Sequence, residues 1–397
     1  MNRNAVPEVV VAERHAGERI AKGHPWVWRD SVLRGLDHVG AGDEVQVVTP
    51  NGSPLGRGLA EPESPIAVRM WTSGREPVSA ALWRERARRA ARLRALLFAD
   101  ARTTAYRIVH GEGDRMPGLV IDRYDSVAVV QCDGAAIANR LADVTEALWP
   151  ELDSRGIATL VHRTSAKGTA PRLQLLRGSP AADTVHVRED GVPFIVDVAH
   201  GQKTGAFLDQ RENRRRVGEL ASGRRVLNLF SYTGGFSIHA ALGSATHVTS
   251  VDTAAAAHAT AQASFRAAGI DPAPHAFVVA DVRTFLEGAR ERGEAWDLIV
   301  SDPPSFAPNE RSVRRALTAY RAIHRACVAV LSDGGLLCAA SCSSHIDADA
   351  FLSTLDAASL GGRQLKLLEL SGAGPDHPSL PAFPEGRYLK FAMLSAS

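Results

Sequence analysis

The chain has 397 residues, 45% apolar and 23% charged, with a formal net charge of +2. That composition excludes a disordered or collagen-like chain and leaves room for two or three cores. No apolar run approaches the roughly 20 residues needed to cross a bilayer, and the N-terminal "MNRNAVPEVVVAERHAGERIAKG" lacks a signal-peptide apolar centre. No membrane association and a cytoplasmic location are therefore expected.

The only lysines are Lys22, Lys167, Lys203, Lys366 and Lys390, so arginine carries nearly all the positive charge. Guanidinium forks suit nucleic-acid phosphates, but a base-composition bias in the genome would produce the same skew. Cys132, Cys327, Cys338 and Cys342 form no Cys-x-x-Cys pair and have no His-x-x-x-His beside them. No metal centre is expected, and the thiols should be reduced.

Residues 1–74 are rich in Gly, Pro and short alternating segments such as "GDEVQVVTP" and "SPIAVRMWT", the pattern of a small β-barrel. A helix is predicted over 79–97, with Leu82, Leu93 and Leu97 in its apolar stripe and Arg84, Arg86, Arg88, Arg89, Arg92 and Arg94 studding it. It opens a middle α+β domain, 75–190, whose strands include "SVAVVQCD" and "GIATLVHR".

From 191 to 397 the rhythm becomes strand, turn, helix. Strands are predicted at 224–230, 246–252, 275–281, 296–302 and 335–341, then at 363–370 and 387–394. This alternation predicts an α/β fold with a largely parallel sheet covered on both faces, and in such sheets ligands gather at the carboxyl ends of the strands. There the first strand runs into "NLFSYTGGFSIHAA", where Gly234 and Gly235 allow close backbone approach to a ligand. The dinucleotide fingerprint Gly-x-Gly-x-x-Gly is absent, which disfavours a pyrophosphate cradle. The next three strands end in Asp252, Asp281 and Asp302. Each alone reads equally well as a helix N-cap. As an ordered series they suit S-adenosylmethionine, with Asp252 on the ribose hydroxyls and Asp281 near the adenine amino group.

The fifth strand ends in "SCSSH". Cys338 lies deeper on the same face and reads as core, as do Cys132 and Cys327; His345 reads as exposed. Cys342 at the strand mouth suits a nucleophile. Carbon 5 of cytosine is a poor nucleophile until a thiolate adds to carbon 6, and cysteine both attacks and leaves well. With an ordinary pKa of ~8.5, the thiol needs a local positive field or a base to be ionised at neutral pH. Asp302, on the neighbouring strand, is placed to bond the N3 and amino edge of the base. Pro303 and Pro304 stiffen its loop, and Phe306 is expected to stack on the base. "DPPSF" resembles the Asn/Asp-Pro-Pro-aromatic signature of amino-group methyltransferases, except that Ser305 intervenes.

"GHPWVW", "GRGLAEPESPIAVRMW", "HGEGDRMPGLVIDRY", "GQKTGAFLDQRENR", "NLFSYTGGFS", "SDPPSF", "SCS" and "DHPSLPAFPEGRYLK" together resemble the PUA-domain large-subunit ribosomal RNA cytosine-C5 methyltransferases, RlmI-type. The resemblance covers nearly the whole chain. It implies an N-terminal PUA-like RNA-binding barrel, a small middle domain and a class I S-adenosylmethionine methyltransferase domain with a seven-stranded sheet. It also implies that Gln210 and Arg211 lie at the cofactor entrance, that Phe230, Ser231, Tyr232 and Gly234 line the methionine and ribose part, and that Cys342 is the nucleophile. Many relatives have Lys where this chain has Ser305. A sister group of guanine methyltransferases shares "KTG-FLDQR" and "DPP-F" but lacks the cysteine.

The partner implied is large-subunit ribosomal RNA, with the target cytosine unpaired or flipped out. The barrel, the Arg-rich helix and "NRRRVGELASGRR" are candidates for the phosphate-binding surface. A guanine or amino-group methyltransferase with an inert Cys342, and a non-catalytic RNA-binding or ribosome-assembly protein, are the alternatives. Oligomeric state is left open, a homodimer included.

Overall fold

Runs of valine, isoleucine and leucine bounded by glycine, proline and aspartate dictate short strands, and the computed structural model of the chain contains four sheets. It describes residues 6–12, 16–164, 172–307, 309–357 and 360–396. The chain divides into two compact units and passes between them repeatedly: residues 1–185, 197–206 and 375–386 form one, and 186–196, 207–374 and 387–397 the other.

The first unit holds two sheets. One has six strands, in the order Trp26–Trp28, Ile66–Met70, Pro54–Ala60, Glu44–Val48, Glu8–Val11, Val32–Arg34. The other has five, in the order Arg172–Gly178, Thr159–Thr164, Val127–Cys132, Leu119–Tyr124, Ala105–His110. The helix Ala80–Leu97 begins at a Ser79 side-chain cap. Its buried stripe is Trp83, Ala87, Ala90, Ala91 and Arg94, not the Leu82, Leu93 and Leu97 expected, which are only half-buried. The small alanines bring the neighbouring helix Leu141–Asp153 into one shared core.

Arg94 corrects a second expectation. It is buried, pairs bidentately with Asp114 at 2.6 and 2.7 Å and donates to the Asp376 carbonyl, so it does not belong to a phosphate-binding surface. Arg86 is likewise turned inward, onto the Trp71 and Arg115 carbonyls. The "DRY" of residues 122–124 is structural as well. Asp122 accepts two bonds from Arg107 and one from Thr204, and the Tyr124 hydroxyl meets Thr204 at 2.8 Å.

The second unit is built on seven strands: β1 (Arg225–Leu229), β2 (His247–Asp252), β3 (Ala276–Val279), β4 (Trp296–Ser301), β5 (Leu331–Ser341), β6 (Leu365–Ser371) and β7 (Lys390–Ala396). Their order is β3-β2-β1-β4-β5-β7-β6. The first five run parallel, and β7 is antiparallel to both β5 and β6. Helices α1 (Arg211–Leu220), α2 (Gly235–Leu242), α3 (Ala255–Ala267), α4 (Val282–Glu291) and α5 (Val313–Ala329) connect and flank them.

Side chains alternate between the two faces of a strand. Val226, Leu298, Val300, Cys338 and Ala340 enter one core with Val217 of α1 and Phe236 of α2. Leu227, Leu229, Ile299, Leu337 and Ala339 enter the other with Leu286 of α4 and Tyr320 of α5. Burial on both faces explains why these strands read as continuous apolar runs. The strand order reverses between β1 and β4, which opens a crevice at their carboxyl ends.

Candidate active site

The turn after β1 is wound tightly. Phe230 and Tyr232 adopt left-handed φ values of 57° and 47°, and Gly234 follows at 76°. A left-handed φ is disfavoured for bulky side chains, so this turn is held by its surroundings. The Ser231 N–H donates to the Val251 carbonyl, and the Tyr232 N–H donates to Asp252 Oδ2 at 2.8 Å. Asp252 Oδ1 accepts from the Ala254 N–H at 2.9 Å. One carboxylate thereby braces the loops after β1 and β2 and still has about half of its roughly four lone-pair positions for a ligand. The glycines answer chiefly to protein neighbours. A Cβ at 234 would stand 2.9 Å from Ala261 Cβ, and one at 235 would stand 2.8 Å from Arg214 Cδ. Asp281 is exposed and caps α4, accepting from the Arg283 and Thr284 N–H groups.

Asp302, one residue past β4, accepts from Gln210 Nε2 at 2.9 Å. Gln210 Oε1 accepts from Asn213 Nδ2 at 2.6 Å, and Asn213 Oδ1 accepts from Ser371 Oγ at 2.8 Å. Gln210 is 3% exposed and Arg211 fully buried, so Gln210 orients an acid through a chain of amides. Pro303 is buried, and the half-buried Phe306 ring packs on Tyr320 with centroids 5.0 Å apart. Ser305 Oγ meets Ser343 Oγ at 3.1 Å. The hydroxyl therefore ties the loop after β4 to the one after β5, directly beside Cys342.

Among the four thiols, burial pushes Cys327 and Cys338 up to about 12 and Cys132 up to about 11, which leaves them protonated at neutral pH. Cys342 is half-buried, one residue beyond β5, and the register of β4 on β5 pairs Ser301 with Ala339. Asp302 and Cys342 thus leave adjacent strands at the same end of the sheet. Tyr320 lies beside both: its hydroxyl donates to Ser341 Oγ at 2.9 Å. Burial raises its pKa, and the charges of Cys342 and Asp302 add to that. Lys390, the first residue of β7, is 5% exposed and donates to the Ser343 and Tyr388 carbonyls at 2.6 and 2.7 Å.

All the residues singled out in the sequence for cofactor or catalysis fall in this unit. Phe230, Ser231, Tyr232, Gly234 and Asp252 cluster at the β1 and β2 ends. Asp302, Pro303, Phe306 and Cys342 cluster at the β4 and β5 ends, with Gln210 joined to Asp302. His345 is exposed, as expected. Arg214 departs from the basic surface expected of "NRRRVGELASGRR": it is buried and pairs with Glu189. Sequence reasoning missed Asn213, Tyr320, Ser343 and Lys390. Only Lys390 carried a signal, as a lone lysine amid the apolar "YLKFAML" of a chain with five lysines.

A family model for S-adenosylmethionine-dependent methyltransferases matches residues 135–383, and one for PUA-like domains matches residues 10–73. A ribosomal RNA large subunit methyltransferase of Deinococcus radiodurans is 38% identical over 386 residues, 94% of each chain. Ribosomal RNA large subunit methyltransferase I of Photobacterium profundum is 35% identical, and that of Shewanella denitrificans 36%, each over 94% of this chain and 95% of the relative. A solved Streptococcus mutans structure, described as a SAM-dependent methyltransferase, shares the fold with a TM-score of 0.86 at 24% identity, covering 98% of this chain and 100% of that one. The cofactor of such a protein is S-adenosylmethionine. Among the described residues no helix is long and apolar enough to cross a membrane.

Proposed function

Because the chain belongs to the S-adenosylmethionine-dependent ribosomal RNA large subunit methyltransferases, we propose that it methylates carbon 5 of a cytosine through a transient bond from Cys342 to carbon 6. The observation that supports this is the contrast among thiols. Cys327 and Cys338 are buried in the core and Cys132 ends a strand of the other unit, whereas Cys342 stands half-buried at the carboxyl edge of the sheet, next to the strand that leads to Asp302.

Bound S-adenosylmethionine supplies an electrophilic methyl group on a sulfonium. Phe230, Ser231, Tyr232 and Gly234 would cradle its methionine and ribose part, Asp252 its ribose hydroxyls and Asp281 its adenine side, with Gln210 and Arg211 beside it. The lone pairs left on Asp252 and the absence of a pyrophosphate-type glycine loop fit that ligand. The Cys342 thiolate adds to carbon 6, and the electron pair of the ring's 5,6 double bond is released toward carbon 5. Asp302, aimed by Gln210 and carrying a proton, gives it to N3 as the thiolate adds, accepts from the exocyclic amino group with its other oxygen, and takes the proton back when the thiolate leaves. Pro303 and Phe306 wall the base. Once carbon 5 carries the methyl group, its proton leaves to a base, the 5,6 double bond re-forms, and the carbon–sulfur bond breaks to return the thiolate. The cytosine reaches the thiol only when unpaired or flipped out.

The test is nucleoside mass spectrometry of ribosomal RNA incubated with protein and labelled cofactor. Wild type should yield 5-methylcytidine and a covalent adduct with 5-fluorocytidine RNA, while Cys342→Ala should yield neither. A Cys342→Ala enzyme that methylates a guanine or an amino group at the wild-type rate would overturn the covalent reading.

A further inference from the structure

We propose that Lys390 is the positioning residue for the reactive thiol, its ammonium held by the backbone carbonyl one residue past Cys342 so that this side chain rests as a thiolate near neutral pH. The proposal rests on the reading of Cys342 as nucleophile given above, and it supplies the local positive field that such a thiol needs.

The β5–β7 register sets Lys390 opposite Ser341, the residue before Cys342. Its Nζ then donates to the carbonyl of Ser343, the residue after Cys342, and to Tyr388 O. The charge is thus fixed at the turn that carries the thiol. Among the described residues no carboxylate lies in ion-pair range of Nζ, and the side chain is almost wholly removed from water. An ammonium satisfied only by carbonyls keeps its field for a neighbouring anion, and low hydration strengthens that field.

The titratable groups whose charges reach it are Cys342 and Asp347 after β5, and Tyr320 of α5 lies within reach of the charges of Cys342 and Asp302. Tyr320 donates its proton to Ser341, and Asp302 accepts from Gln210. Burial draws the lysine's own pKa down to about 8, and the charges of Cys342 and Asp347 pull it back up. The charges of Cys342 and Lys390 act on each other, so the two groups titrate as a pair. The thiol loses its proton to the neutral amine or to water, the S–H bond breaks, and the ammonium–thiolate form is left.

The experiment is alkylation of the full chain with iodoacetamide from pH 5 to 10, with modification of the Cys342 peptide followed by mass spectrometry. Wild type should show a midpoint about one unit or more below the ordinary thiol value of ~8.5. Lys390→Met should move the midpoint up by about one unit, roughly a tenfold loss of thiolate at pH 7, and Lys390→Arg should retain most of the depression. A wild-type midpoint at or above ~8.5, or superimposable wild-type and Lys390→Met profiles, would overturn the proposal. The wild-type profile decides the matter even if the Met variant does not fold. A low midpoint without any RNA adduct would sink the covalent mechanism and leave the lysine–thiol pair standing, so the two failures are distinct.

Discussion

Lys390 shows what burial does to a charge whose hydrogen-bond partners are backbone carbonyls. Its pKa falls from the ordinary lysine value to about 8, whereas in the unfolded chain it titrates near ~10.4. Between those values the unfolded state binds more protons than the folded one, so folding stability rises with pH across that window. Below about 8 both states are protonated and the full burial penalty applies. The stability of Lys390→Met relative to wild type should therefore be greatest at pH 7 and should shrink steadily toward pH 10. Thermal melts at four pH values check this, and a constant difference would mean that the ammonium is not desolvated. Ser305 makes a second point at this scale. Its hydroxyl meets the Ser343 hydroxyl and so links the loops that carry Asp302 and Cys342.

Helix α1 shows why a basic sequence is not always a basic surface. Arg215 is exposed and Arg216 half-buried, and they pair with Glu212, Glu219 and Glu369, but Arg214 turns inward to Glu189, which also meets His239 at 3.1 Å. Burial by itself would raise the Glu189 carboxyl, but the Arg214 guanidinium and His239 override it and hold it down to about 2. A carboxyl with a depressed folded-state pKa contributes stability that is present above its unfolded value of ~4.3 and lost as pH falls through the folded one. An acid titration of wild type should show this loss between about pH 4 and 2, and Glu189→Gln should not. Glu189→Ala leaves a buried guanidinium without its partner and should destabilise by about 3–5 kcal/mol, measured by denaturant unfolding. Gly235 belongs to the same device, since a side chain there would collide with Arg214.

For the whole molecule, the surface offered to RNA is narrower than the arginine count suggests. On the helix Ala80–Leu97, Arg84, Arg88 and Arg92 are exposed and recur every four residues, whereas Arg86 and Arg94 are spent on the protein interior. Replacing Arg84, Arg88 and Arg92 together by Ala should lower the slope of log affinity against log salt by roughly 0.7–0.9 for each phosphate that is no longer neutralised. An unchanged slope would remove the helix from the footprint. Replacing Arg94 instead should lower stability and leave the slope as it was. What could be read from the chain was most of what local pattern carries, though not which stripe of the helix Ala80–Leu97 is buried. The strand series, the acids that close three strands and the cysteine that follows a fourth all announce themselves, because a sheet covered on both faces demands apolar runs and its carboxyl ends demand turn residues. The family motifs rode on the same elements. What only the tertiary structure decided was where the charges went: Arg94 onto Asp114, Arg214 onto Glu189, Gln210 onto Asp302, and Lys390 to the turn that holds Cys342. A charge is buried only where another element brings its partner, and those partners stand 20 to 92 residues away along the chain.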